Sequence, residues 1–291
     1  MSFVPTTIAT LATSPALEDL RILLGSLEIF NANPPTLYLF CDSIIAAAVP
    51  KMNYKGTVYI RDVLNPYTEY ERRTMEALPG VHFRTLWMDF MTEKINLLRW
   101  ALKDGSSGGV LLCDADICFT APLPAIPAGT TVALSPHMIV ERDEQRYGKY
   151  NGGFLWISAV EYADVWWNAC GNARYYEQSA LEDVAKHAGA SLYEFPKTNN
   201  YGWWRLWQGV KSPAELLKEW SINRIKAGGA SGICVEGVPL ASVHTHFETK
   251  DMATKKFNTM FLDWLTILAP NHLPARKLSK VIHIEDRSKA R

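Results

Sequence analysis

Several familiar features are missing from this chain of 291 residues. The five cysteines, Cys41, Cys113, Cys118, Cys170 and Cys234, form no CxxC pair and their number is odd. A disulfide framework or a thiolate zinc site is therefore not expected; they read as reduced, mostly buried thiols of a cytoplasmic protein. No stretch approaches the roughly 20 apolar residues that span a bilayer. Met1 to Thr13 lacks the basic segment and the apolar core of a secretory signal, so none is expected. Net charge is also absent, with 30 basic and 30 acidic residues. Bulk charge thus predicts no polyanion-binding surface, and nucleic acid stays a partner only through a local patch. There is no internal repeat and no low-complexity linker.

What remains is an ordinary globular composition with alternating β-like and α-like segments. Thr7 to Ala12, Thr36 to Cys41, Thr57 to Ile60 and Gly109 to Cys113 are short apolar runs and read as strands. Ser14 to Phe30, with Ser14 as N-cap and Pro15 in the first turn, reads as a helix, as do Asn65 to Leu78 and Phe90 to Leu102. Val81 to Leu86 reads as extended, and Gly105-Ser106-Ser107-Gly108 as a turn. The second half is more mixed. Thr131 to Ser135, Gly153 to Ser158 and Leu240 to Phe247 are strand-like. Glu161 to Asn172, Glu177 to His187, Ser212 to Lys226 and Ala253 to Ala269 are helix-like. The alternation predicts an α/β fold: a mixed, mostly parallel central sheet flanked by helices, with ligands beyond the carboxyl ends of the strands.

The most informative residues are Asp114-Ala115-Asp116, at the end of the Val110-Leu111-Leu112 run. Alternation along an extended backbone puts both carboxylates on one side, where they can share a divalent cation. Oxygen ligands suit Mn²⁺ or Mg²⁺, and such a cation can hold a diphosphate. Two solvated acids in a loop are the plain alternative. Asp42 ends another predicted strand and falls on the same rim.

Five further segments carry chemistry. Asn151-Gly152-Gly153 leads into an apolar strand and can bring backbone close to a sugar, although Asn-Gly is also a hairpin-turn signal. Glu177-Gln178 and Glu182-Asp183 place Gln178 and Glu182 on one helix face, where a carboxylate or amide could sit under a reacting carbon; an exposed helix start explains them equally. His244 and His246 alternate on one strand and could complete a metal shell, with Lys250 on phosphate. Lys94 could reach phosphate from its helix, or be an ordinary surface lysine. The amides and rings of Asn199 to Trp207, with Asn200, Trp203 and Trp204 foremost, suit a sugar face or a satellite core.

In this order the segments resemble the GT-A class of nucleotide-sugar glycosyltransferases, of the glycogenin and lipopolysaccharide galactosyltransferase type. Members carry a basic residue on a helix, a strand ending in DxD, an Asn-Ala-Gly strand, an Asp-Gln helix, and a His-Phe segment with a downstream lysine. Lys94, Asp114-Ala115-Asp116, Asn151-Gly152-Gly153, Glu177-Gln178, His244 to Phe247 and Lys250 follow that order. Glu177 stands where the family has Asp, and the family's glycine and Pro-Trp after the lysine are absent.

The resemblance implies a single GT-A-like, Rossmann-related domain over residues 1–270, with 271–291 as a basic tail that is solvated or loosely docked. It implies transfer of a sugar from a nucleoside diphosphate sugar, UDP-sugar by analogy, with retention. The acceptor is open, with a glycan or small molecule favoured. Thr10, Asp42, Lys94, Ala115 and Lys250 form the expected donor set, and Asn151, Gly152, Gly153, Asn200, Trp203 and Trp204 the sugar and acceptor set. Asp114, Asp116, His244 and His246 are the expected metal ligands, and Glu177, Gln178, Glu182 and Asp183 the catalytic candidates. Glu182 or Asp183 would be the base of the alternative, inverting reaction. A metal-dependent phosphoester hydrolase and a non-catalytic nucleotide-sugar-binding protein are the other readings. A sugar nucleotidyltransferase is disfavoured, because Thr10 to Pro15 contains no glycine to form a phosphate loop.

Overall fold

The computed structural model describes residues 1–105, 108–223 and 230–282. Seven runs of mainly apolar residues form its central sheet: β1 (Thr7–Ala12), β2 (Thr36–Cys41), β3 (Val58–Asp62), β4 (Val110–Cys113), β5 (Val132–Pro136), β6 (Tyr150–Ile157) and β7 (Leu192–Glu194). Their order across the sheet is β7-β5-β6-β4-β1-β2-β3. Only β6 runs against the other six. The sheet is thus mixed and mostly parallel, as the alternation predicts.

Successive side chains of a strand point to opposite faces, and here both faces are covered. Leu37, Leu39, Leu111 and Phe154 enter one core, packed by the Leu17–Phe30 helix and the C-terminal helices. Tyr38, Phe40, Leu112 and Leu155 enter the other, under the Leu86–Lys103 and Val160–Cys170 helices. That two-sided burial is why these strands read as continuous apolar runs rather than alternating ones. A smaller sheet of Tyr201–Gly202, Ser242–His244 and Ile117–Phe119 sits beyond β4. In it His244 pairs with Ile117, next to the acidic pair.

Several boundaries differ from expectation, each for a local reason. Ser14 does not cap a helix. Residues Ser14–Ala16 form a 3₁₀ turn whose first N–H donates to Asp42, and the helix starts at Leu17. Asn65 to Leu78 is two pieces, a 3₁₀ turn at Asn65–Tyr67 and a helix at Arg72–Ala77. Val81 to Phe83 is not a strand, because its three N–H groups all donate to the buried Asp89 carboxylate. Asn151-Gly152 is not a hairpin turn but lies inside β6.

The expected Glu177 to His187 helix begins only at Leu181, so Gln178 and Glu182 do not share a helix face. The helix capped by Ser212 ends at Glu219, where Trp220–Ile222 pairs with Ile233–Val235. The rest of its expected span, from 224, and Ser106-Ser107 of the turn lie outside the described residues.

The basic C-terminal segment begins as structure. Leu273–Val281 is a helix whose Ala275 and Leu278 are fully buried against the Leu17–Phe30 and Met252–Leu268 helices. Gly25 permits this approach: a Cβ there would come within 2.8 Å of Val281. Arg21 closes the contact by donating to the Val281 carbonyl. Residues 283–291 of the expected tail lie outside the described residues. Truncating a buried leucine leaves a cavity and typically costs about 2–5 kcal/mol. Leu278→Ala is therefore expected to lower the unfolding free energy by about that amount in urea titration. A change within the scatter of surface substitutions would mean that this helix is not part of the folded core.

Candidate active site

The reversal of β6 assembles the site. A strand antiparallel to β4 starts on the rim where β4 ends, and the register places Cys113 opposite Phe154. The Asp114 N–H then donates to the Gly153 carbonyl at 2.8 Å. Gly153 has no side chain for a reason of space. A Cβ there would lie 2.4 Å from an Asp114 carboxylate oxygen and 2.6 Å from the His244 ring.

Asp114, Asp116 and His244 each offer a ligand atom within 4.8 Å of the others. His244 Nε2 stands 3.1 Å from Asp116 and 3.9 Å from Asp114. Two carboxylates and an imidazole suit a divalent cation that accepts both oxygen and nitrogen.

The orientation of His244 is fixed from behind. Its Nδ1 donates to the Asn200 Oδ1 at 3.0 Å, which aims Nε2 at the acids. Asn200 in turn donates to Asn151 and to Ser135. Asn151 donates to His137 Nε2, and His137 Nδ1 donates to the Gly148 carbonyl. This chain of amides sets the ring and tautomer of a metal-competent histidine, as outer-shell partners do at metal sites. Asn200 and Asn151, expected on the sugar, are thus committed to positioning His244.

Beneath the aspartates lies Lys94, only 2% exposed although a surface position is a natural expectation for lysine. Its ammonium reaches Asp114 at 2.8 Å, Glu177 at 3.5 Å and the Gly152 carbonyl at 3.3 Å. Burial disfavours the charged amine, but Asp114 and Glu177 outweigh it and its pKa is raised. Glu177 is buried too; burial raises its pKa and Lys94 partly offsets this. Lys94 therefore braces Asp114 and Glu177 rather than presenting a free cation.

His246 lies on the opposite side of Asp116, at 3.3 Å, and its Nδ1 is 2.8 Å from Asp19. The Asp116 charge, then the Asp19 bond, raise its pKa to about 9. Burial pushes Asp116 upward, but His244 and His246 more than cancel this and hold its carboxyl below the usual range. Asp19 has no sequence motif around it. Its one signal is an acid set among the apolar positions of the Leu17–Phe30 helix.

Two cavities meet at this point. One, of about 560 Å³, opens beyond β1 and is lined by Leu11, Thr13, Tyr67, Tyr70, Trp87 and Asp19. The other, of about 300 Å³, is a polar cleft bordered by Asp116, Asn151, Gln178, Trp203, Trp204 and His137. His246 borders both. Trp204 packs its ring edge-on to His244 at 5.1 Å. Gln178 is held on both sides, accepting from Gly152 N and donating to the Tyr147 carbonyl.

Other expected site residues fall elsewhere. Glu182 is engaged by the Arg174 guanidinium and by the Lys149 N–H, and Asp183 is exposed. Both oxygens of Asp42 accept backbone N–H groups, from Ser14 and Ile45, as a helix cap. Thr10 is fully buried within β1, one residue short of the cavity, and Ala115 is buried between the acids. Lys250 is exposed just before the Met252–Leu268 helix. His137, Tyr67 and Tyr70 are lining residues that no motif announces.

Two measurable consequences follow from the imidazoles. Burial lowers the His137 pKa to about 4, so the folded protein refuses a proton that the unfolded chain takes near pH 6.5. Stability from this residue is lost as pH falls from about 6.5 to about 4. His246 has the opposite sign: its contribution is complete below about pH 6.5 and is lost as pH rises through about 9. Solvent reaches 55% of that side chain, so screening makes the alkaline effect the smaller one. Melting temperature in EDTA should therefore fall on both sides of about pH 6.5, with His137→Gln flattening the acid limb and His246→Gln the alkaline limb. Unaltered limbs in both variants would contradict these assignments. Separately, Asn200→Ala is expected to weaken Mn²⁺ binding by about 10–100-fold in calorimetry; unchanged affinity would show that the amide does not orient His244.

No protein-family model and no curated protein matches the chain. Solved structures do. The galactosyltransferase LgtC, in complex with donor and acceptor sugar analogs, is 13% identical over 88% of this chain and 95% of its own, with a TM-score of 0.54. The bifunctional glycosyltransferase WbbM is 11% identical over 96% of this chain and 52% of its own, with a TM-score of 0.52. Mouse xyloside xylosyltransferase 1 is 12% identical over 84% of this chain and 98% of its own, at 0.49. At such identities the first two likenesses establish architecture: the chain has the mixed α/β fold of the GT-A glycosyltransferases.

Proposed function

We propose that the protein is a metal-dependent glycosyltransferase that moves a sugar from a nucleoside diphosphate sugar, with UDP-sugar as the first donor to test. The observation that carries this reading is the meeting of the Asp114-Asp116-His244 cluster with two cavities of different character. The aromatic-lined cavity beyond β1 suits a nucleoside. The polar cleft suits a sugar and the hydroxyl that attacks it. The acid cluster at their junction is where a diphosphate would span them.

A divalent cation, Mn²⁺ or Mg²⁺, held by Asp114, Asp116 and His244 would supply positive charge where the leaving diphosphate becomes more negative. The chain's own residues do the rest. Lys94 holds Asp114 in place, and Asn200 presents His244 with its Nε2 directed at the acids. Gln178, fixed by Gly152 and Tyr147, borders the cleft where an oxocarbenium-like sugar carbon would lie.

Retention is the better supported stereochemistry. An inverting transferase needs a base in the acceptor cleft, usually a carboxylate. Among the described residues, Asp116 is the only carboxylate bordering that cleft, and it belongs to the cation cluster. Glu182, the inverting candidate nearest to hand, is spent on Arg174. Five buried free thiols support a reducing, cytoplasmic setting. Among the described residues no helix is long and apolar enough to cross a membrane.

Calorimetry of UDP, GDP and CDP with Mn²⁺ and with EDTA tests the donor site. UDP binding is expected to require Mn²⁺ and to weaken at least about 100-fold in Asp116→Ala, the loss of one charged ligand. Binding that ignores both EDTA and the substitution would end this reading. Phosphoester hydrolysis without any sugar donor would replace it with a hydrolase.

A further inference from the structure

A further groove lies outside the two cavities above. It has a volume of about 780 Å³ and joins the polar cleft at Tyr175, which lines both. One bank is the loop before the Leu86–Lys103 helix. Three consecutive N–H groups, of Val81, His82 and Phe83, converge on the buried Asp89 carboxylate and hold that loop in place. The pinned loop presents the exposed Arg84 to the groove. Arg146, at the end of the Glu141–Tyr147 helix, and Arg174 line the groove as well.

The charges in this groove do not balance. Arg174 is neutralised by a two-pronged pair with Glu182 and is tied to the Glu144 and Gln145 carbonyls. Glu76, the one acid lining the groove, is taken by Arg72 and the Tyr176 hydroxyl. Arg84 has no partner among the described residues. Arg146 lies over the face of Tyr147, at 5.0 Å, and has no acid partner among the described residues. Two guanidinium groups thus line one groove with no acid paired to either among the described residues. Tyr147 and Tyr175 pack at 4.8 Å beside the passage from the groove to the cleft.

From this we infer that the groove is the outer part of the acceptor site and takes an acceptor bearing a phosphate group. Guanidinium groups match the geometry and charge of phosphate, and adjoining tyrosine rings suit the sugar that carries it. The inference rests on the transferase reading, since the cleft that the groove enters is the one assigned to the attacking hydroxyl. The phosphate would sit between Arg84 and Arg146, and a hydroxyl of the same molecule would pass Tyr175 toward Asp116.

The test is a set of calorimetric titrations of the full chain, saturated with Mn²⁺ and UDP, using glucose, glucose 6-phosphate and inorganic phosphate as probes. Glucose 6-phosphate is expected to bind about tenfold or more tightly than either of the others. The double variant Arg84→Gln, Arg146→Gln should abolish that preference and leave Mn²⁺-dependent UDP binding unchanged. Equal affinity of the wild type for glucose and its phosphate would overturn the inference, as would a preference that survives in the double variant. Inorganic phosphate binding as tightly as the sugar phosphate would reduce the groove to a site for a free ion and also overturn it. If UDP does not bind with Mn²⁺, the donor reading fails on its own. The same three titrations without nucleotide then still decide whether Arg84 and Arg146 read a phosphorylated sugar.

Discussion

The site depends on one reversed strand. Had β6 run parallel to β4, Asn151-Gly152-Gly153 would start at the opposite edge of the sheet, far from Asp114. Running antiparallel, it brings the Gly153 carbonyl to the Asp114 N–H and fixes the backbone from which both aspartates project. The missing side chain at Gly153 is then a steric requirement, because Asp114 and His244 already fill that space. The same strand supplies Asn151, through which the orientation of His244 is transmitted. Backbone pairing, side-chain volume and imidazole tautomer are thus three consequences of one register.

Electrostatics explains the residues around that register. Asp114, Asp116, Glu177 and Asp19 are four acids in a region where burial makes isolated charge costly. Lys94 from one side and His246 from the other provide the compensation. A buried charge pair adds little to stability over an apolar substitute, yet losing one member typically costs about 3–5 kcal/mol, because the other is left unpaired. Such a cluster is therefore better understood as placing carboxylates than as holding the fold together. The fold is held by the two cores on either face of the sheet.

Six of the seven strands of the sheet were legible, the central ones because burial on both faces leaves no polar alternation to interrupt them; Leu192–Glu194, a three-residue edge strand with no buried residue, was not. Asp114 and Asp116 were legible for a related reason: acids directly after such a run must lie on a rim. Side chains whose roles depend on distant partners were not legible. Lys94 shares its helix face with Leu97, Leu98 and Ala101, but only the fold shows that two acids await it there. Glu177 and Gln178 sit in a turn, beside Tyr176 at a positive φ of 42°, and helical spacing misplaced them relative to Glu182. Asp42 lies at a strand end as expected, yet its oxygens cap a helix instead of facing a ligand. A short-range motif states which residue types are available; it does not state which of their atoms are already taken.

That distinction matters most for the two amides expected on the sugar. Asn151 and Asn200 are buried and nearly saturated by His137, Gly153, Ser135 and His244. A carboxamide in that chain has a fixed direction. It accepts from one neighbour and donates to the next, so a chain that ends on His137 Nε2 as acceptor starts from His244 Nδ1 as donor, with Gly153 N–H holding the Asn151 oxygen between them. Burial keeps His137 neutral, with its pKa lowered to about 4. Protonation there would turn Nε2 from acceptor to donor and oppose the Asn151 amide that now points at it. The burial of His137 is thus linked to the orientation of His244 through hydrogen-bond polarity. Trp203 and Gln208 line the same cleft outside that chain. Asn151 and Asn200, marked in the sequence as ligand contacts, are here the residues that aim His244.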